Sequence, residues 1–169
     1  VLEDNAETML SYYKGKLAGT SGHAASFSFQ SSKHLTAGEG GIIITSDKQL
    51  AIDIRRISSL GYSGVSPNKG KITKNDIQLP DYSRHISSGF NFRMPELCAA
   101  VVLGQLERVD ELVNRRIDVA NLFLETLLNV DWLIPQKTPD YSINSYWTLV
   151  ARLKHPSLEW ITFRDKFQE

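Results

Sequence analysis

The residues with the clearest chemical potential are a carboxylate, a hydroxyl and an amine that follow two predicted strands. Asp4 ends "VLED", a short apolar segment predicted to be the last part of a buried strand. Ser28 lies near the end of the alternating segment "AASFSF", and Lys33 follows in a serine-rich turn. In sheets of the α/β class, ligands bind at the carboxyl ends of the strands. We therefore expect these three side chains to lie at one edge of a sheet.

An amine, a carboxylate and a hydroxyl in this order match the needs of pyridoxal phosphate. That cofactor requires a lysine for a Schiff base, an acid that keeps its pyridine nitrogen protonated, and donors for its phosphate. Each residue alone also has a simpler interpretation: Lys33 as a solvated loop residue, Asp4 as a turn or helix cap, and Ser28 as an edge-strand serine. The three together, with glycines close by, favour the cofactor site.

Strands and helices alternate in the part of the chain that must position these residues. "AASFSF" alternates as a strand does, and "GIIITS" is a continuous β-branched run typical of a strand buried on both faces. "AETMLSYYKGK" has the apolar spacing of a helix that breaks at Gly15, and "KQLAIDIRRISSLG" predicts an amphipathic helix that ends at Gly61. This order predicts an α/β fold.

The second half of the chain predicts a long helix and a further unit. Residues 62–88 are polar and turn-rich, and their basic stretch "NKGKITKN" is expected to be a solvated loop. A helix is predicted from Pro95 through Leu127, because apolar residues keep a helical period over that range. "WLIPQ" and "SYWTLVARL" then predict strands and "SLEWITFRDKF" a helix, which together indicate the start of an α+β unit.

Composition excludes several classes of function. The 19 basic residues balance the 19 acidic residues, so there is no charge excess to favour nucleic acid or an anionic membrane. Cys98 is the only cysteine, which excludes an internal disulfide and a cysteine-rich metal site and fits a reducing, cytoplasmic compartment. The sequence has no signal-peptide pattern, begins without methionine and ends inside a predicted helix, so we expect a piece of a longer chain.

Two blocks of sequence resemble the DegT/DnrJ/EryC1/StrS family of sugar aminotransferases. They are "VLEDNAE…SFSFQSSKHLTAGEGGIIITSD" and "SGFNFRMPELCAAVVLGQLERVDELVNRR", with a GEGG after the lysine and N-x-R-M ahead of a helix. The resemblance implies a fold type I, aspartate aminotransferase-like enzyme that uses pyridoxal phosphate. Residues 1–114 would then form the carboxyl-terminal half of the large domain, and residues 115–169 a linking helix and part of the small domain. The implied reaction moves an amino group from glutamate to a keto-sugar nucleotide in amino-sugar or polysaccharide biosynthesis.

The resemblance also implies roles for five residues. Lys33 would form the Schiff base with the cofactor and then carry protons between cofactor and substrate. Asp4 would pair with the pyridine nitrogen, Glu7 would lie beside the ring oxygen, and Ser28 would bind the phosphate. Asn91 would reach the phosphate held by a neighbouring subunit, which implies a homodimer with shared active sites.

Two alternatives remain beside the aminotransferase. Family members that act as dehydratases carry a histidine at the position of Lys33, so this lysine favours amino transfer. Full family members are longer than this chain and carry a phosphate loop and a ring-stacking aromatic ahead of Val1, so a non-catalytic fragment that folds or dimerises without cofactor is the other alternative. His23 and His34, close to Lys33 in sequence, are expected to be structural.

Overall fold

The computed structural model describes residues 1–64 and 74–169 of the chain. In those ranges five strands are followed by four helices, three strands and a final helix, a mixed α/β architecture that agrees with the predicted class. The elements are β1 (Leu2–Asp4), β2 (Tyr12–Tyr13), β3 (Lys16–Leu17), β4 (Ala24–Ser28), β5 (Gly41–Ile44), α1 (Lys48–Ser58), α2 (Lys74–Ile77), α3 (Glu96–Leu106), α4 (Val109–Leu127), β6 (Leu133–Pro135), β7 (Ser142–Ile143), β8 (Ala151–Leu153) and α5 (Trp160–Gln168). The loop prediction for "NKGKITKN" falls largely outside the described residues.

The sheet that carries the predicted site has the order β1–β4–β5. β1 and β4 are parallel, with Asp4 opposite Ser26, whereas β5 runs antiparallel to β4. Because parallel strands end at the same edge, Asp4 and Ser28 both lie at the carboxyl edge of this pair. Both "VLED" and "AASFSF" form strands, as predicted. The burial predicted for "VLED" is wrong, because β1 is an edge strand of this sheet and Leu2 is 72% exposed.

The prediction that "GIIITS" is buried on both faces is wrong for this chain. Ile42 and Ile43 in β5 are each 49% exposed. In the part of the chain that the structure describes, β5 pairs only with β4, so one edge of the strand has no neighbour. β-branched residues favour an extended backbone, but their burial depends on what packs against them.

The helix predicted for "AETMLSYYKGK" is also wrong, because this segment forms the hairpin β2–β3. Tyr12 pairs with Leu17 and Tyr13 with Lys16, which leaves a two-residue loop. Both loop residues have positive φ, +50° at Lys14 and +75° at Gly15, as a type I′ hairpin turn requires. The turn overrides the apolar spacing, and β7 then extends the hairpin into the order β3–β2–β7.

The helices begin and end close to the predicted positions, with one interruption. α1 starts after Asp47, whose carboxylate accepts hydrogen bonds from the Gln49 and Leu50 amides. The predicted helix from Pro95 through Leu127 is two helices, α3 and α4, because Arg108 between them leaves the helical conformation at φ −122°. The Arg108 guanidinium pairs with Glu111 in the first turn of α4 through two contacts of 2.9 Å.

The core lies directly beneath the turn that carries Lys33. Phe29, Leu35 and Val102 form its buried centre, and Met9, Ala37, Met94, Val109 and Leu112 pack around them. Helix α3 also binds this turn by two hydrogen bonds. The side-chain amide of Gln105 accepts from Thr36 N at 3.0 Å and donates to Thr36 O at 2.6 Å. Packing and hydrogen bonds together fix the backbone on both sides of the lysine.

The predicted division into residues 1–114 and 115–169 stays a prediction. Helix α4 runs across that boundary, and β7 from the second range pairs with β2 from the first. Among the helices of residues 1–64 and 74–169, none combines the length and the apolar composition that a membrane span requires.

Candidate active site

Lys33 lies in a tight turn that follows β4. Its amide donates to Gln30 O at 3.0 Å. The Gln30 side-chain oxygen accepts two further hydrogen bonds in this turn, from Ser32 N at 2.9 Å and from Ser32 Oγ at 2.7 Å. The Lys33 side chain is only 14% exposed. A lysine this enclosed has a restricted set of positions for its amine.

The amine of Lys33 contacts one carboxylate and one aromatic ring. Nζ lies 3.0 Å from Glu7 Oε1 and 4.1 Å from the ring centroid of Trp147. Glu7 was among the predicted site residues, and the structure brings it directly to Lys33. Both partners attract a charged ammonium, the carboxylate by its charge and the indole by the negative face of its ring.

Asp4 and Ser28 lie at the carboxyl edge of the sheet, where β1 and β4 end. Asp4 is exposed, and its Oδ1 accepts from Ala6 N at 3.1 Å. Ser28 is half-buried, and its Oγ accepts from Gln30 N at 3.2 Å. A serine hydroxyl can donate and accept at once, and among the described residues no acceptor takes the Ser28 hydroxyl hydrogen, so it is available for another group.

Asn91, the fifth predicted residue, is not part of this cluster. It is exposed, and its backbone lies opposite Ser59 in an isolated antiparallel bridge. Among the described residues, no hydrogen bond joins its side chain to Lys33 or its partners. The two neighbours of Asn91, Phe90 and Phe92, stack at 5.1 Å and are 60% and 71% exposed.

Two residues that the sequence reasoning missed complete the surroundings of Lys33. The Trp147 indole nitrogen donates to Ser32 O at 3.1 Å. The Arg116 guanidinium donates to Lys33 O at 3.2 Å, to Trp147 O at 3.3 Å and to Ser32 O at 3.4 Å. Arg116 is 83 residues from Lys33 along the chain, and Trp147 is 115 residues from Ser32. No local spacing could have indicated either contact.

A buried polar layer lies beneath the lysine turn. His34 is 7% exposed, and its Nε2 lies 3.0 Å from the Ser145 carbonyl oxygen, so Nε2 must carry a proton and donate. Burial lowers the pKa of His34 from its usual 6.5, and the positive charges of Arg116 and Lys33 lower it further, against the opposing effect of the Ser145 hydrogen bond. His34 thus makes the buried hydrogen bond expected of a structural histidine.

The same layer connects three parts of the chain. Ser11 Oγ lies 2.8 Å from Ser145 Oγ, and Ser145 N donates to Ser11 Oγ at 3.2 Å. Ser145 is fully buried. The segment before β2, the lysine turn and the segment after β7 therefore meet at one set of hydrogen bonds.

The carboxylate of Glu3, next to Asp4, binds backbone amides of the loop that precedes β4. It accepts from the amides of Gly19 and Ser21, each at 2.8 Å, and from the amide of Gly22. These backbone hydrogen bonds, from Gly22 first and Gly19 second, lower the pKa of Glu3. Glu3 thus anchors the loop before β4, whereas Asp4 stays open at the strand end.

The sequence comparisons all point to one family. The sequence model of the DegT/DnrJ/EryC1/StrS aminotransferase family matches residues 1–169. The GDP-perosamine synthase of Escherichia coli O157:H7 is 33% identical over 148 residues, which is 87% of this chain and 36% of that protein. The GDP-perosamine synthase of Caulobacter vibrioides is 39% identical over 127 residues, 75% of this chain and 30% of that protein.

A dehydratase is also among the relatives. The GDP-4-keto-6-deoxy-D-mannose 3-dehydratase of Escherichia coli O55:H7 is 31% identical over 145 residues, 84% of this chain and 37% of that protein. The chain thus spans about a third of the length of these curated relatives.

Solved structures show the same fold. A variant of GDP-4-keto-6-deoxymannose-3-dehydratase with bound GDP-perosamine superposes with a TM-score of 0.84 at 26% identity, covering 99% of this chain and 44% of that one. The sugar aminotransferase CalS13 from Micromonospora echinospora gives a TM-score of 0.76 at 27% identity, covering 90% of this chain and 39% of that one. The mixed α/β architecture is therefore that of part of a fold type I enzyme.

Proposed function

Because the chain belongs to the DegT/DnrJ/EryC1/StrS aminotransferase family, we propose that it is part of a pyridoxal phosphate-dependent sugar aminotransferase. The proposed reaction transfers an amino group from glutamate to a keto-sugar nucleotide. The observation that carries the proposal is the position of the Lys33 amine. It lies 3.0 Å from Glu7, just beyond the carboxyl edge at which Asp4 and Ser28 end their strands.

The residues at this edge fit the cofactor in their chemistry. Lys33 offers an enclosed primary amine. Asp4 Oδ2 accepts no hydrogen bond from the described residues, so this oxygen can receive a protonated ring nitrogen. Ser28 has a hydroxyl hydrogen to donate to a phosphate. When bound, pyridoxal phosphate supplies the electron sink that stabilises a carbanion beside the transferred nitrogen.

The chain's own residues would bind, orient and move protons around that group. Lys33 would bind the cofactor through Nζ and, as a free amine, would take and return the substrate proton at the same atom. Glu7 would orient Nζ, and the Trp147 ring would shield it from water. Asp4 would keep the ring nitrogen protonated by its negative charge, and Ser28 would bind the phosphate.

The proposal includes a homodimer in which Asn91 serves the partner's site. Asn91 is exposed and lies apart from the Lys33 cluster, as a residue that acts on another subunit must be. The exposed pair Phe90 and Phe92 beside it gives this segment an apolar surface suited to a subunit contact. The proposed location is the cytoplasm, which the single Cys98 supports. The proposed pathway is polysaccharide or other amino-sugar biosynthesis.

A sugar dehydratase is the second candidate, and one observation favours it. A curated dehydratase and a solved dehydratase structure are both similar to this chain. Against it stands Lys33, because the family resemblance implies histidine at this position in dehydratases. The amine favours amino transfer, since a lysine can both bind the cofactor covalently and return the proton.

The decisive experiment is a cofactor-fixing assay on the purified chain. Pyridoxal phosphate is added, the visible spectrum is recorded before and after borohydride, and peptide mapping locates the fixed group. We expect a Schiff-base band fixed at Lys33, lost in Lys33→Ala and kept in Lys48→Ala, which removes an exposed lysine at the start of α1. Circular dichroism checks that each variant is folded.

Three results would overturn the proposal in different ways. A folded chain without a band would favour the non-catalytic fragment. Fixation at another lysine would move the site away from Lys33. With a band at Lys33, incubation with glutamate and a keto-sugar nucleotide should give an amino sugar in the mass spectrum, whereas a deoxy product without incorporated nitrogen would favour the dehydratase.

A further inference from the structure

The backbone that carries Lys33 is held from a distant helix. Arg116 in α4 donates to the carbonyl oxygens of Ser32 and Lys33, and its third contact is the carbonyl oxygen of Trp147. A planar guanidinium can bind several carbonyls at once, which a lysine ammonium cannot do with the same geometry. One side chain thus joins the lysine turn to the segment after β7.

The amine end of the Lys33 side chain contacts Trp147, in the segment after β7. The Trp147 indole nitrogen donates to Ser32 O at 3.1 Å, while its ring lies 4.1 Å from Nζ. Arg116 therefore restrains the backbone of Lys33, and Trp147 restrains both the backbone and the amine. Glu7 contacts the amine from β1's side of the site at 3.0 Å.

Comparison with Arg115, the preceding residue on α4, shows that the Arg116 contacts are particular to its position. Arg115 is 71% exposed, and in the described part of the chain its ion pair is with Glu111 of the same helix, at 3.6 Å. Arg116 instead turns toward the lysine turn and is half-buried. The two neighbouring arginines form a matched pair for substitution.

We propose that Arg116 and Trp147 are positioning residues that fix the place and reactivity of the Lys33 amine. Arg116 holds the start of the lysine side chain through the backbone, and Trp147 holds its end through the ring. For catalysis the inference rests on the proposed function, because a fixed amine matters there for binding cofactor and returning a proton. The restraint itself is a property of the chain and is measurable without cofactor.

The test is reductive methylation of the purified chain with formaldehyde and cyanoborohydride. Mass spectrometry follows the rate at Lys33 and, as internal standards, at the exposed Lys48 and Lys137. Trp147→Leu should raise the Lys33 rate about twofold to thirtyfold, the range that loss of a cation–π contact corresponds to. Trp147→Phe keeps a ring face and should raise it less.

The arginine pair supplies the second comparison. Arg116→Lys should raise the Lys33 rate about twofold or more, since several carbonyl hydrogen bonds to a guanidinium are lost. Arg115→Lys should leave it unchanged, as should Trp160→Leu, which removes an exposed tryptophan of α5. Urea unfolding of every variant reports global stability separately.

A purely structural role would give a different pattern. In that case the unfolding midpoints would fall while the Lys33 rate, relative to Lys48 and Lys137, stayed at the unsubstituted value in Trp147→Leu and Arg116→Lys. That result would overturn the proposal. Failure of the proposed function would appear instead in the cofactor-fixing assay, which shares no reagent with the methylation measurement except the chain.

Discussion

Substitution of His34 tests whether the buried layer beneath Lys33 depends on a neutral imidazole. In the folded chain burial lowers the pKa of His34 below 6.5, and Nε2 donates to Ser145 O. The unfolded chain takes up the proton near pH 6.5, whereas the folded chain resists it. The free energy of unfolding contributed by this group is therefore fully present above that pH and is lost as the pH falls below it.

The expected change in the free energy of unfolding follows from the lost hydrogen bond and from proton linkage. Each unit by which folding lowers the pKa corresponds to about 1.4 kcal/mol of stability lost at low pH. His34→Gln retains an N–H donor for Ser145 O but cannot titrate, so it should flatten the pH dependence. His34→Ala leaves the buried carbonyl without its donor and should cost about 1–3 kcal/mol at pH 7 before any cavity cost is added.

The assay is urea unfolding at a series of pH values from 7.5 to 5.5. This window lies above 4.5, the usual pKa of glutamate. Glu3 and Glu111, whose pKa values are lowered further, therefore add nothing to the pH dependence of stability in this window. Ser11→Ala is the control, because it disturbs the same layer without removing the titrating group. It should lower stability at all pH values and keep the slope. Equal slopes for the unsubstituted chain and His34→Gln would refute the reasoning.

Other substitutions test how the elements around the site are held. Glu3→Gln weakens the anchor of the loop before β4, so we expect a lower urea midpoint at pH 7. Because the pKa of Glu3 is lowered, its contribution to the stability of the unsubstituted chain should be lost as the pH falls below about 4.5. If Glu3→Gln lost as much stability below that pH as the unsubstituted chain does, this reasoning would be contradicted. Gly61→Ala should destabilise the chain by about 2–4 kcal/mol, since φ is +73° and a Cβ would overlap the Ser87 carbonyl oxygen. Gly104→Ala in α3 meets open space and should instead stabilise the chain by about 0.5–1 kcal/mol, so a loss in both glycine variants would show that the argument from backbone conformation is wrong.

Local sequence was sufficient for the elements whose signals act over a few residues. The alternation in "AASFSF" predicted β4, and the amphipathic period of "KQLAIDIRRISSLG" predicted α1. The two strand ends that carry Asp4 and Ser28 were predictable because parallel strands in α/β sheets present such residues at one edge. The local signal was incomplete at the β2–β3 hairpin, where the positive φ of Lys14 and Gly15 overrides a helical spacing of apolar residues.

The surroundings of the lysine were determined only by the tertiary structure. Lys33 and its turn could be identified from the residues near them, but the contacts of Arg116 and Trp147 join positions 83 to 115 residues apart. The exposure of Ile42 and Ile43 likewise depends on which strands pair beside β5. Propensity and periodicity describe what a short segment can form by itself. Which distant side chains meet a given amine depends on how helices and strands pack, and that information is spread over the whole chain.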